Sequence, residues 1–224
     1  MGPTDADTVI FLGPSLDAAE AARHLRAQWW PPVRRGDLPA VVAHGVRRIG
    51  IIDGEFDQSL AVSVSEVRAA LARGAQVWGA ASMGALRAAE CHGLGMCGIG
   101  WVYRGYAEGW LAADDEVALL FDPHSGQAAT VPLVNFRWAL LQAVSGGAVS
   151  TDRAAVLLSA AQAVRYWERD GSALIAAARD RGCGADMEAL LEFVARAPDR
   201  CDRKRLDALE LLNAMADDAA SRPS

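Results

Sequence analysis

Residues 75–90 read AQVWGAASMGALRAAE, and the fold turns on how this stretch divides. Its first part, AQVWGAA, is short, apolar and β-leaning and ends in small residues, whereas MGALRAAE is built of strong helix formers. A strand followed at once by a helix is half of a βαβ unit. The same alternation stands upstream, with TVIFLG (8–13) before LDAAEAARHLRA and RIGIID (48–53) before VSEVRAALARG. The spacing predicts a parallel sheet flanked by helices, with strands near 8–12, 48–52 and 76–80. GIGWVY (98–103) is a candidate for a further strand; DEVALLF (115–121), the turn DPHSG and ATVPLV (129–134) read as a β-hairpin or an edge feature. After Asn135 the pattern is helical: FRWALLQAV, TDRAAVLLSAAQAVRYWE, SALIAAARDRG, DMEALLEFVARA and RKRLDALELLNAMA are separated by Gly, Ser or Pro signals. Thr151 and Asp186 are candidate N-caps and Gly182 a candidate helix stop. The fold class expected is therefore α/β, with an α/β core over residues 1–134 and an all-helical C-terminal appendage over 135–224.

Composition limits the function classes. The 224 residues are 52% hydrophobic and 22% charged, the profile of a globular protein with a buried core. A net charge of −6 argues against nucleic-acid binding, because a surface that tracks phosphates needs a basic excess. The amino terminus has neither a basic leader region nor a long apolar one, and no apolar run approaches the roughly 20 residues that span a bilayer. No membrane association is expected. Four cysteines (Cys91, Cys97, Cys183 and Cys201) form no CxxC pair, so the expectation is reduced thiols in a cytoplasmic protein, with no metal and no cofactor. No GxxxxGK[ST] loop is present for ATP, and Gly93, Gly95, Gly98 and Gly100 do not match the dinucleotide fingerprint. Lys204 is the only lysine, a bias attributable to coding composition.

Parallel sheets bind ligands beyond the carboxyl ends of their strands. The three expected exit loops, GPSL (13–16), DGEFDQ (53–58) and ASMGALR (81–87), would then set Ser15, Asp53, Glu55 and Ser82 along one rim, with Arg87 one turn into the helix that follows. Two readings of Ser82 stand side by side. It is a good helix N-cap, and its setting Ala80-Ala81-Ser82-Met83-Gly84 is also close to the nucleophile elbow G-x-S-x-G. In an elbow the serine attacks and the next amide, here that of Met83, helps to hold the oxyanion. His92 and His124 are the candidate bases, with Asp53 or Asp114 as orienters, and spacing does not choose among them. His92 is equally explained as a helix C-terminal histidine and Arg87 and Glu90 as an i,i+3 surface pair, and Asp114-Asp115-Glu116 reads as a solvated charge run ahead of a metal-binding cluster, since no second carboxylate cluster accompanies it.

FLGPSL, PPVRRGDL (31–38), IGIIDGEF (50–56), GAASMGALRAAE-x-HGLGM-x-GIG (79–100) and DDEVALL (114–120), in this order, resemble the TfuA-like core domain. The likeness spans roughly residues 8–140; Cys91 departs from it, standing where an apolar residue such as leucine is common. The resemblance implies a role beside a YcaO-family enzyme in making backbone thioamides in ribosomal peptides. One activity it implies is release of sulfur by hydrolysis of a thiocarboxylated ThiS-like carrier protein. The family motif positions here are Ser15, Arg34, Arg35, Asp53, Ser82, Arg87, Glu90 and His92. Ser82, His92 and Asp53 are the expected catalytic set, and Ser15, Arg34, Arg35, Met83, Arg87 and Glu90 the expected binding set. The alternative is a non-enzymatic partner that binds and activates the YcaO enzyme or recruits its peptide substrate. Trp29, Trp30, Trp101 and Trp110 would suit such an interface.

Overall fold

Five parallel strands, β1 (Thr8–Phe11), β2 (Gln28–Trp30), β3 (Arg48–Ile51), β4 (Gln76–Gly79) and β5 (Cys97–Gly98), line up in the order β2-β1-β3-β4-β5. The computed structural model describes residues 7–56, 59–122 and 128–221. The chain divides into two compact units, Met1–Ala112 with Lys204–Ser224, and Ala113–Arg203. The sheet belongs to the first. Its central strands β1 and β3 are buried along their whole length, as expected where helices cover both faces. Register is continuous: Val9 pairs with Ile49, and Ile49 with Val77.

One face carries α2 (Asp37–Ala43), α3 (Val64–Ala72) and α4 (Met83–Cys91), which pack Leu38, Val41, Val67 and Met83 on Val9, Phe11, Ile49 and Ile51. The other face is nearly bare of early helices. The expected helix after β1 is a single turn, α1 (Ala18–Ala21), far too short to cover it. That face is closed by the last helix, α11 (Arg203–Ala220), which lays Ala208, Leu211, Leu212 and Met215 against Ile10, Ile52, Ala80 and Ala81. Lys204 meets Asp53 beyond the carboxyl end of β3, while Arg48 at its amino end donates to the Met215 carbonyl and Asp218, so α11 runs antiparallel to β3.

The expected strand at GIGWVY is two residues of strand followed by α5 (Gly100–Ala107). The reason is a buried carboxylate. Asp207 of α11 accepts the Trp101 and Val102 N–H groups at 2.9 and 2.7 Å and so caps a helix, and Gly100 takes φ +95° with no room for a side chain against that carboxylate.

The second unit holds α6 (Leu133–Ser145), α7 (Thr151–Gln162), α8 (Gly171–Arg179), α9 (Gly184–Arg196) and the single turn α10 (Pro198–Cys201) around a core that includes Phe136, Leu157, Leu174 and Met187. Caps differ from expectation by a few residues. Ser150 and Cys183 occupy the N-cap positions of α7 and α9, with Thr151 and Asp186 inside the first turns, and Gly182 at φ +69° separates α8 from α9. The acidic run is solvated only in part: Asp114 is exposed, whereas Glu116, at the end of the same 3₁₀ turn, is buried and held by both arms of the Arg137 guanidinium. Of the expected hairpin, Phe121 and Ala128 form one antiparallel bridge, and its turn at 123–127 lies outside the described residues.

The tightest packing is where α4 crosses the sheet. A Cβ added to Gly84 would stand 1.7 Å from the Ile51 carbonyl oxygen, and one on Gly79 would stand 2.1 Å from that of Gly84. In an ordinary helix Gly→Ala stabilises by up to about 1 kcal/mol. Here Gly84→Ala should instead destabilise by about 1–3 kcal/mol or more through backbone displacement. Gly93→Ala, whose added Cβ meets nothing within 4 Å, is the control and should stay within about 0.5 kcal/mol. Urea midpoints for the two variants decide the point.

Candidate functional site

Strand order reverses between β1 and β3, because the chain steps outward from β1 to β2 and then returns past β1 to β3. Loops leaving the two strands diverge there and open the crevice where doubly wound sheets place ligands. Asp53 stands in that crevice, 2% exposed. Its Oδ2 accepts the N–H groups of Gly13 and Ser15 at 2.9 and 3.1 Å, and its Oδ1 accepts the Ser15 hydroxyl at 2.6 Å. Lys204 Nζ, also 2% exposed, lies 3.8 Å from the same Oδ1. The β2 exit crosses over β1 to join: Val33 N–H donates to the Asp53 carbonyl at 2.9 Å, and Pro32 presses on Gly13, where a Cβ would stand 2.5 Å from the proline ring.

One strand over, the β4 exit makes a strained turn. Ser82 N–H donates to the Ala80 carbonyl at 2.7 Å around Ala81, whose φ of +65° is the single positive value at a non-glycine among the described residues. Such an i→i+2 turn is rare and strained, and backbone outliers of this kind gather at functional sites. It delivers Ser82 to the first turn of α4 with 2% exposure. Ser82 holds the N-cap position but its side chain does not cap, and its Oγ makes no hydrogen bond among the described residues. The Met83 N–H beside it meets no acceptor among those residues either. A hydroxyl and an amide donor are thus both open at the positive end of a helix dipole, a setting that favours anions.

The structure brings Ser15, Asp53, Ser82 and Met83 onto one rim and leaves others outside it. His92 lies ten residues after Ser82 at the far end of α4, about 15 Å away along the axis, where its ring pairs with the Tyr103 hydroxyl at 3.0 Å. It does not reach Ser82, and the expected Ser82–His92 pairing fails on helix length alone. His124 lies outside the described residues. Asp114 belongs to the second unit. Arg87 directs Nε to the Val62 carbonyl at 2.7 Å and pairs with Glu90, so its guanidinium ties down the loop after β3. Arg34, at the outer edge of the rim, pairs with Glu55 at 3.0 Å; the Arg35 N–H donates to the Leu60 carbonyl at 2.7 Å.

Lys204 and Asp207 were not among the expected site residues. The signal for Lys204 was present: one lysine in a chain whose other cations are all arginine, set in a helix predicted far from the sheet in sequence.

No curated protein is similar enough to the chain to match it. A family profile described as TfuA-like protein matches residues 53–170, starting at the rim aspartate and running through α7. That span is more than half of the 224 residues and contains Ser82, with Ser15 and Lys204 outside it. The chain belongs to the TfuA-like protein family.

Proposed function

We propose that the protein releases sulfur for a neighbouring YcaO enzyme by hydrolysing a thiocarboxylated ThiS-like carrier protein, with Ser82 as the nucleophile. Membership of the TfuA-like family supports the broader role, an accessory to YcaO-associated thioamidation. What favours the hydrolytic step is the Ser82 junction: a serine at a strained strand-to-helix turn, its hydroxyl uncapped and the next amide open. Acyl transfer needs these parts, a nucleophilic oxygen not engaged in a cap and a donor that waits for the developing oxyanion.

Ser82 Oγ attacks the thiocarboxylate carbon, and the Met83 N–H holds the oxygen that becomes negative. Collapse breaks the carbon–sulfur bond. The serine proton goes to the departing sulfur, so that Ser82–OH and R–CO–S⁻ become the Ser82 ester and HS⁻. Water then cleaves the ester to the carboxylic acid and restores the serine. Because sulfur itself takes the proton in the first step, that step needs no histidine beside Ser82. Ser15 and Asp53 hold the loops that shape the crevice. A second reading, binding and activation of the YcaO enzyme or recruitment of its peptide, is favoured by Trp110, 42% exposed and packed on Trp101 at 4.5 Å.

The two readings part on one measurement: mass spectrometry of a thiocarboxylated ThiS-like carrier incubated with this protein and no YcaO enzyme. Hydrolysis predicts conversion of the carrier terminus to carboxylate with sulfide in solution, and an unchanged carrier would leave only the activator. Ser82→Ala should lower that conversion by several orders of magnitude. Its stability should shift by less than about 0.5 kcal/mol, because no cap bond is lost. Ser82→Cys keeps a nucleophile and should retain measurable turnover. Parent-rate conversion by Ser82→Ala would remove Ser82 from the chemistry.

A further inference from the structure

We propose that Lys204 sets the preference of this rim for an anionic chain terminus, a carboxylate or thiocarboxylate, by compensating the buried charge of Asp53 next to the Ser82 junction. The proposal rests on the hydrolytic reading above and assigns a residue outside the span of the family match.

Three independent observations meet at Lys204. The first is composition: of 22 basic residues only this one is lysine, and it stands between Arg203 and Arg205. Those two arginines serve elsewhere, Arg203 over the Trp138 ring at 4.8 Å and Arg205 on the Glu20 carboxylate. The residue of the three that meets the rim aspartate carries the compact ammonium. The second is burial, since Lys204 and Asp53 are each 2% exposed. The third is position along α11. Lys204, Ala208, Leu211 and Met215 follow helical spacing on one face, and Ala208 packs in the cluster that contains Ile52, Ala80 and Ala81. Lys204 is therefore one turn beyond the contact with the residues that lead into Ser82.

The chemistry requires a cation there. A thiocarboxylate is an anion, and entering a crevice floored by the buried Asp53 carboxylate would bring like charges together in a poorly screened site. Lys204 neutralises that floor. Its 3.8 Å separation from Oδ1 exceeds hydrogen-bond length, so the contact acts through charge. With the floor neutral, the open amino end of α4 supplies the remaining attraction, and Ser82 Oγ, without a hydrogen bond among the described residues, lies where the anion is drawn. No atom passes through Lys204 in the reaction.

The test uses the full chain and a ThiS-like carrier prepared with a carboxylate or a carboxamide terminus, neither of which is consumed. The parent protein should bind the carboxylate form at least about ten-fold more tightly, the scale of one hydrogen bond to a charged group. Lys204→Met should abolish that discrimination and leave the carboxamide affinity unchanged, a pattern that simple loss of structure does not produce. If Lys204→Met does not fold, Lys204→Gln, which removes the charge and keeps a polar head beside Asp53, should show the same loss. Discrimination that survives in either variant overturns the role of Lys204 while leaving hydrolysis by the parent untouched. Failure of the parent to hydrolyse the thiocarboxylated carrier, with discrimination present and lost on Lys204→Met, overturns the hydrolytic reading and keeps the anion site.

Discussion

The Asp53 carboxylate accepts two backbone N–H groups and one hydroxyl from the β1 exit and faces the Lys204 ammonium from α11. Taking a carboxylate out of water is costly, and only a full set of donors with a countercharge offsets the loss. The four groups that do so come from chain positions far apart, residues 13–15 and 204 around residue 53. The carboxylate thereby fixes where the β1 loop turns and where the last helix docks. An apolar residue at position 53 would leave two buried N–H groups and a buried ammonium without this partner, and the crevice would lose the geometry on which any chemistry at its edge depends.

The same pair explains why the sheet needs its final helix. A doubly wound sheet must cover both faces, yet the connection from β1 to β2 provides only one helical turn on one of them. α11 completes that face with an apolar stripe and locks its ends with charges, Lys204 on Asp53 at the rim and Arg48 on the Met215 carbonyl and Asp218 at the base. Between them, Gly50 on β3 has no side chain to hold the helix away; a Cβ there would stand 3.0 Å from the Met215 sulfur. Asp207, one residue from the crevice-facing stripe, turns the chain after β5 into a helix instead of a longer strand.

Much of this was legible in the residues. β1, β3 and β4 were visible as apolar runs ending in small or acidic residues, and their exits share the rim that the parallel-sheet rule predicts. β2 and β5 were hidden because three and two residues carry no periodicity, and QWW reads as readily as a core fragment. Helix formation at 100–107 was hidden because its cap, Asp207, lies more than a hundred residues downstream. His92 looked adjacent to Ser82 in a short motif, but an α-helix between them converts nearness in sequence into distance in space. Lys204 failed in the opposite sense, distant in sequence and close in the fold.

The helix ends themselves make the last point. Asp17, Ser63, Ser150 and Asp170 cap α1, α3, α7 and α8 from extended backbone, with ψ between 135° and 177°, and each side chain accepts an N–H of its helix. Ser82 is the same kind of residue at the same kind of position, yet its ψ is −123° and its hydroxyl accepts nothing from α4. The difference traces to Ala81, whose φ of +65° rotates the chain just before the helix begins. That conformation costs about 1–3 kcal/mol and the missing cap about 1 kcal/mol more. Neither is imposed by the helix, since a serine in extended backbone would have removed both. Both are imposed by the close crossing of α4 over β3 and β4 at Gly79 and Gly84, which leaves so little height that the chain must turn within three residues. The outcome of that crossing is a hydroxyl and an amide held at a helix terminus with no partner among the described residues, next to a crevice whose buried Asp53 is already balanced by the one lysine of the chain.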